Sequence, residues 1–195
     1  MALADRARAM IAQPAREWPT IAAEPGSTTS ILRGYAVPLA IIGPMFGLAS
    51  VLIFQHQSII YAIVGAVLGF ILEIVALFVV AFIADVVSPS FGGSRDPVAA
   101  FKWVAYASTA RWLSGIFLIL PVFGRLIFLV GSLYSLYTLY LGTVPVMRIA
   151  ADRAAGFTVV VTVAYILAIA VVTILLGVLL GLFFAGAAVA TGSGV

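Results

Sequence analysis

Apolar residues fall in five long runs, separated by short stretches that gather most of the proline and charge. A bilayer's hydrocarbon layer is about 30 Å thick, so a helix needs about 20 apolar residues to cross it. The pattern predicts spans at about 31–54, 58–87, 97–120, 126–144 and 154–190. The expected fold class is all-α: a polytopic membrane protein of five transmembrane helices with a short amino-terminal amphipathic surface helix. Residues 1–30 form the expected cytoplasmic tail and 191–195 a short tail on the other side.

Local signals refine each element. Leu3, Ala7, Met10 and Ile11 share one face of a helix that Pro14 ends, with Asp5, Arg8 and Ala12 opposite. Such a helix either lies on the inner membrane surface or frays as a tail. Trp18 is the expected interfacial anchor, followed by a turn at Pro25, Gly26 and Ser27. Pro38 and Pro44 fall inside the first span, where each removes a backbone donor and bends the helix. Gln55, His56 and Gln57 make a polar turn. The second span, about 30 residues or ~45 Å, exceeds the hydrocarbon thickness and must tilt or protrude. Residues 88–96 read as a loop, and Pro97 suits the first turn of the next helix. Gly142 and Pro145 are expected to stop or bend the fourth span before the charged hinge of Arg148, Asp152 and Arg153.

Composition agrees with this pattern. Hydrophobic residues make up 64% of the chain and charged ones 9%, against about 25% charged in ordinary soluble domains. The net charge of +3 is small and scattered, so no nucleic-acid partner is expected. Its placement is informative, because basic residues collect on the cytoplasmic side. Arg6, Arg8, Arg16, Arg33, Arg95, Lys102, Arg148 and Arg153 fall on one side and only Arg125 on the other. The amino terminus is therefore expected in the cytoplasm and the carboxyl terminus outside. The first thirty residues lack a continuous apolar core, which predicts no cleavable signal peptide.

Five spans leave few groups for chemistry. There is no cysteine and one histidine, His56, and no phosphate-cradling loop, nucleophile elbow or HExxH motif occurs. No catalytic residue, metal or cofactor is expected. Glu73 and Arg111 lie deep in antiparallel spans, where an unpaired charge costs a few kcal/mol. The expectation is a mutual ion pair, either a staple fixing helix register or a polar site for an ion, proton or head group. Asp85 and Lys102 are a second candidate pair near the inner face. Tyr134, Tyr137 and Tyr140 recur every three residues and form a candidate polar seam. Asp96 and Asp152 lie in loops and are expected as solvated partners of arginine or a weak cation site. Gly43 with Gly47, Gly65 with Gly69, and Gly177 with Gly181 have the spacing that lets helices approach closely. Packing inside the bundle is their expected use; pairing with a protein partner or a second copy is the other.

Four stretches carry a family resemblance: Trp18 with Ile21 and Glu24; AFKWVAYASTARWLSGIF from Ala100 to Phe117; YSLYTLYLGTVPVM from Tyr134 to Met147; and ADRAAGFTVV from Ala151 to Val160. In these the chain resembles the Yip family, the Ypt/Rab-interacting-protein membrane domain, in its bacterial inner-membrane branch. The resemblance implies a five-span domain with a cytoplasmic amino terminus and no catalytic residues. Eukaryotic members are linked to Rab GTPases, vesicle traffic and membrane shaping. The acidic segment that precedes the membrane domain in those members has no counterpart here, so no Rab-binding residues are carried over. The expected function is a non-enzymatic scaffold or adaptor in membrane organisation, with membrane lipids as partners. The alternative is a small transporter or channel whose path Glu73, Arg111 and the tyrosine seam would line.

Overall fold

A computed structural model describes residues 2–55 and 58–190. The turn at His56 and Gln57 and the tail 191–195 lie outside the described residues. Every regular element among the described residues is helical: α1 (Leu3–Ala12), α2 (Pro14–Ala23), α3 (Thr28–Gln55), α4 (Ile59–Val87), α5 (Pro97–Ala107), α6 (Thr109–Ser114), α7 (Phe123–Met147) and α8 (Ala151–Ala190). Among them three helical runs are long and apolar enough to cross a membrane: Thr28–Gln55, Ile59–Phe91 and Phe123–Met147.

Helix α3 holds together despite its prolines by changing its winding. Pro38 has no N–H to give the preceding turn, and residues Leu32–Ala36 widen into a π-helix in which the Val37 N–H reaches the Leu32 carbonyl. The 97–120 segment is not one helix. It breaks at Ser108, whose hydroxyl bonds back to the Val104 carbonyl at 2.9 Å, and ends in a 3-10 turn at Gly115–Ile119. Its side chains from Ala100 to Ala105 are all buried, so α5 is an internal helix. Asp96 caps it by accepting from the Val98 and Ala99 N–H groups, with Pro97 at the first turn. Asp96 is thus spent on a helix cap. Neither Gly142 nor Pro145 stops α7, which runs on to Met147 and closes at Arg148 in a left-handed conformation, φ 56°.

The amino-terminal segment is a hairpin of two helices, and Pro14 begins the second as well as ending the first. The hairpin does not lie flat on a surface. The Tyr134 hydroxyl donates to the Ile11 carbonyl at 2.7 Å, and the Trp18 indole N–H donates to the Thr138 carbonyl at 2.9 Å. Successive contacts advance together along both chains, so α2 runs beside α7 and along the bundle. Ala7, Met10, Trp18 and Ile21 are buried there, while Ile11 stays exposed. Trp18, expected at the lipid interface, is 0% exposed inside the protein. The reason is local: Gly142 of α7 has no side chain, and the indole fills the space beside it.

The core is concentrated at the hairpin end of the bundle. It joins Trp18 and Ile21 to Phe101 and Trp103 of α5, Leu77 and Val80 of α4, Val146 and Met147 of α7, and Phe157 and Val161 of α8. Toward the other end the helices expose Ile60, Phe123, Val130, Leu167 and Leu182. Apolar surface on that scale is what a lipid-facing girdle presents.

Candidate functional site

Glu73 sits at the middle of α4, and Arg111 on the short helix α6 faces it. Nη1 of Arg111 donates to Oε2 of Glu73 at 2.7 Å, and Nη2 donates to Oε1, giving a two-pronged pair. The Trp112 indole N–H adds a third bond to Oε1 at 2.7 Å. The Arg111 backbone N–H, freed by the helix break at Ser108, donates to the Ser135 hydroxyl of α7 at 3.0 Å. Each partner's side chain is 17% exposed. One acid, one base and one indole therefore tie α4 to α6, and the Ser135 hydroxyl adds α7. The role of Trp112 escaped sequence reading, because nothing in the one-dimensional pattern separates an indole that bonds a carboxylate from one that only packs.

A cavity of about 370 Å³ reaches this pair between α3 and α4. Its walls are mostly Ala, Gly, Val and Leu, and its polar groups are Glu73, Arg111, Trp112 and Tyr61. The tyrosine seam does not line it. Tyr134 is taken by the hairpin, and Tyr137 and Tyr140 are 51% and 43% exposed on the outer side of α7. Tyr61 shares this cavity with Arg111, and Tyr165 of α8 shares a second cavity with it. A path joining Glu73, Arg111 and the three tyrosines is thus absent from the described residues.

Asp85 and Lys102 do not pair. Asp85, 2% exposed, takes Arg95 through Nε at 3.0 Å and Nη2 at 2.9 Å, both on Oδ2. Lys102 reaches across to the hairpin, where its ammonium donates to the carbonyls of Ile21 at 3.0 Å and Glu24 at 2.7 Å. Those carbonyls end α2 and carry the negative end of its dipole, which favours a cation. The loop arginine Arg95 takes Asp85, and Lys102 is satisfied by the carbonyls at the end of α2 instead. Double substitution tests this reading. Lys102→Met should cost about 1.5–3 kcal/mol, the range for hydrogen bonds to a charged group. Combined with Asp85→Asn in thermal unfolding, the two costs should add, whereas a direct pair would give clearly less than additive loss.

Arg6 completes the hairpin's polar seam. It bonds both Glu17 and Glu24 and lies over the Tyr106 ring, 5.9 Å from its centroid. Burial works to lower its pKa, but Glu24 and Glu17 outweigh this and hold the guanidinium above its ordinary value. The glycine pairs behave differently from expectation. Only Gly43 meets a close neighbour, since a Cβ on Gly115 would stand 2.7 Å from the Gly43 Cα; Gly47, Gly65, Gly69, Gly177 and Gly181 face open space.

Long apolar helices, a lipid-type girdle and charges neutralised within the bundle define an integral membrane protein. Its family is also shown: the Yip1 domain matches residues 8–173, and the chain belongs to the Yip family. No curated protein and no solved structure matches the chain.

Proposed function

We propose that the protein is a non-enzymatic scaffold or adaptor of the bacterial inner membrane. In this reading it crosses the bilayer five times, with α5, α6 and the following 3-10 turn forming the third crossing and α8 the fifth. Its amino terminus is cytoplasmic, as the distribution of arginine favours. The observation that carries the reading is the Glu73–Arg111–Trp112 cluster, in which both carboxylate oxygens are occupied by protein donors. A group that moves a proton or ion needs a polar route, and the walls beside this one are mostly apolar. The open faces at Gly47, Gly65 and Gly69 would serve lipid, a partner helix or a second copy.

Reconstituted into liposomes, the protein should leave ion and small-solute gradients as tight as in protein-free vesicles. Cross-linking in native membranes should capture one stoichiometric protein or lipid partner. Flux that vanishes on Glu73→Gln would instead establish the transporter reading.

A further inference from the structure

The depth of the ion pair follows from three measures. The Tyr35 hydroxyl of α3 meets the Thr109 hydroxyl at 2.6 Å, and Gly43 meets Gly115 further along, so α3 runs alongside α6 in the same direction. Arg33 precedes Tyr35 by two residues and Arg111 follows Thr109 by two, which places exposed Arg33 about 6 Å nearer the amino-terminal face than Arg111. The hairpin gives a second measure. Its tip at Ile11 bonds Tyr134, the residue before Arg111's partner Ser135, so the tip lies at the depth of the pair. Arg8 and Arg16, both exposed, stand three and five residues from Ile11 on the two arms, again a turn or so above. Arg6 over the Tyr106 ring fixes the same alignment. The third measure comes from length: Arg33 to Gln55 covers about 33 Å of helix, close to one hydrocarbon thickness.

We infer that the phosphate headgroups of the leaflet on the amino-terminal side lie in the plane of Arg8, Arg16 and Arg33. The ion pair then sits about one helical turn beneath that boundary, well away from the middle of the bilayer. Charge agrees: the plane presents three exposed arginines against the single acid Asp5, which complements anionic headgroups. Between the pair and the exposed Arg125 near the start of α7, the exposed positions on α4 and α7 are apolar, among them Ile63, Val67, Leu129 and Val130. Tyr137 and Tyr140 emerge just above the pair on the outer face of α7, at the level where interfacial tyrosine collects.

This inference rests on the membrane-spanning reading, and one labelling series separates the two. The chain contains no cysteine, so single cysteines report without background. Ala15→Cys, Ala23→Cys, Ile63→Cys and Val130→Cys all replace exposed side chains. Each is placed in nanodiscs of phosphatidylcholine with phosphatidylglycerol, open to reagent on both faces, and treated with a charged maleimide. The thiolate is the reacting form, and hydrocarbon expels it. Ala15→Cys should label at a rate close to that of Ala23→Cys, with Ile63→Cys and Val130→Cys slower by on the order of a hundredfold. If Ala15→Cys is as protected as Val130→Cys, the boundary lies higher and the inference is wrong. If Ile63→Cys and Val130→Cys label as fast as Ala23→Cys, the membrane-spanning reading itself fails, and the inference with it.

Discussion

Glu73→Gln should unfold at a markedly lower temperature than the native protein, with a loss of about 3–5 kcal/mol if the pair is dry. The amide keeps the shape but not the charge. It leaves the Arg111 guanidinium without a counter-ion and offers one oxygen where the carboxylate gave two, so Trp112 and Arg111 compete for it. Arg111→Gln should cost a similar amount by stranding the carboxylate. The double variant Glu73→Leu with Arg111→Leu should recover most of the loss, because two apolar side chains need no counter-charge. A cycle in detergent unfolding reads the coupling directly. A coupling near zero would mean that the two charges are separately solvated, and the cluster would lose its role as a staple. Water reaching the pair from a nearby headgroup boundary would bring the single-variant costs toward the lower end of the range, without removing the coupling.

How far the sequence carries depends on whether a residue's partner is determined by scarcity or by geometry. Two opposite charges in otherwise apolar helices have few alternatives, so the meeting of Glu73 and Arg111 could be read from their positions alone. The extent of α4 was legible for the same kind of reason, since an unbroken apolar run bounded by polar turns fixes both ends. Near the amino-terminal face charged groups are plentiful, and scarcity no longer decides. Asp85 had Arg95 as well as Lys102 within reach, and the winner depended on how a nine-residue loop folds back, with Gly92 at φ 82° turning it. The hairpin was hidden for a further reason. A stretch rich in alanine, with one tryptophan and a few charges, has the composition of a surface helix whether it faces lipid or protein. What draws it onto the bundle is the missing side chain at Gly142, on a helix more than a hundred residues away.

Trp18→Ala should release the amino-terminal hairpin from the bundle. The indole is wholly buried, donates to the Thr138 carbonyl, and lies against Gly142 with Trp103 close by. Trp103 in turn bonds the Leu139 carbonyl at 2.7 Å and stacks near Phe157, with ring centroids 5.3 Å apart. Emptying this site should cost about 3–5 kcal/mol, most of it borne by α1 and α2 because their other anchors are few. Limited trypsin digestion in nanodiscs should then cut after Arg8 and Arg16 much faster than in the native protein, while fragments from α4 to α7 stay intact. Gly142→Val approaches the same contact from the other side. A Cβ there would stand 2.6 Å from one Trp18 ring carbon and 2.9 Å from a Trp103 ring carbon, an overpacking worth about 1–3 kcal/mol. Because the valine methyls would enter the space the indole vacates, the double variant should lose clearly less than the sum of the singles. Strict additivity would show that the hairpin is held elsewhere, with the Lys102 ammonium, the Tyr134 hydroxyl and the contact of Arg6 with the Tyr106 ring as the remaining ties.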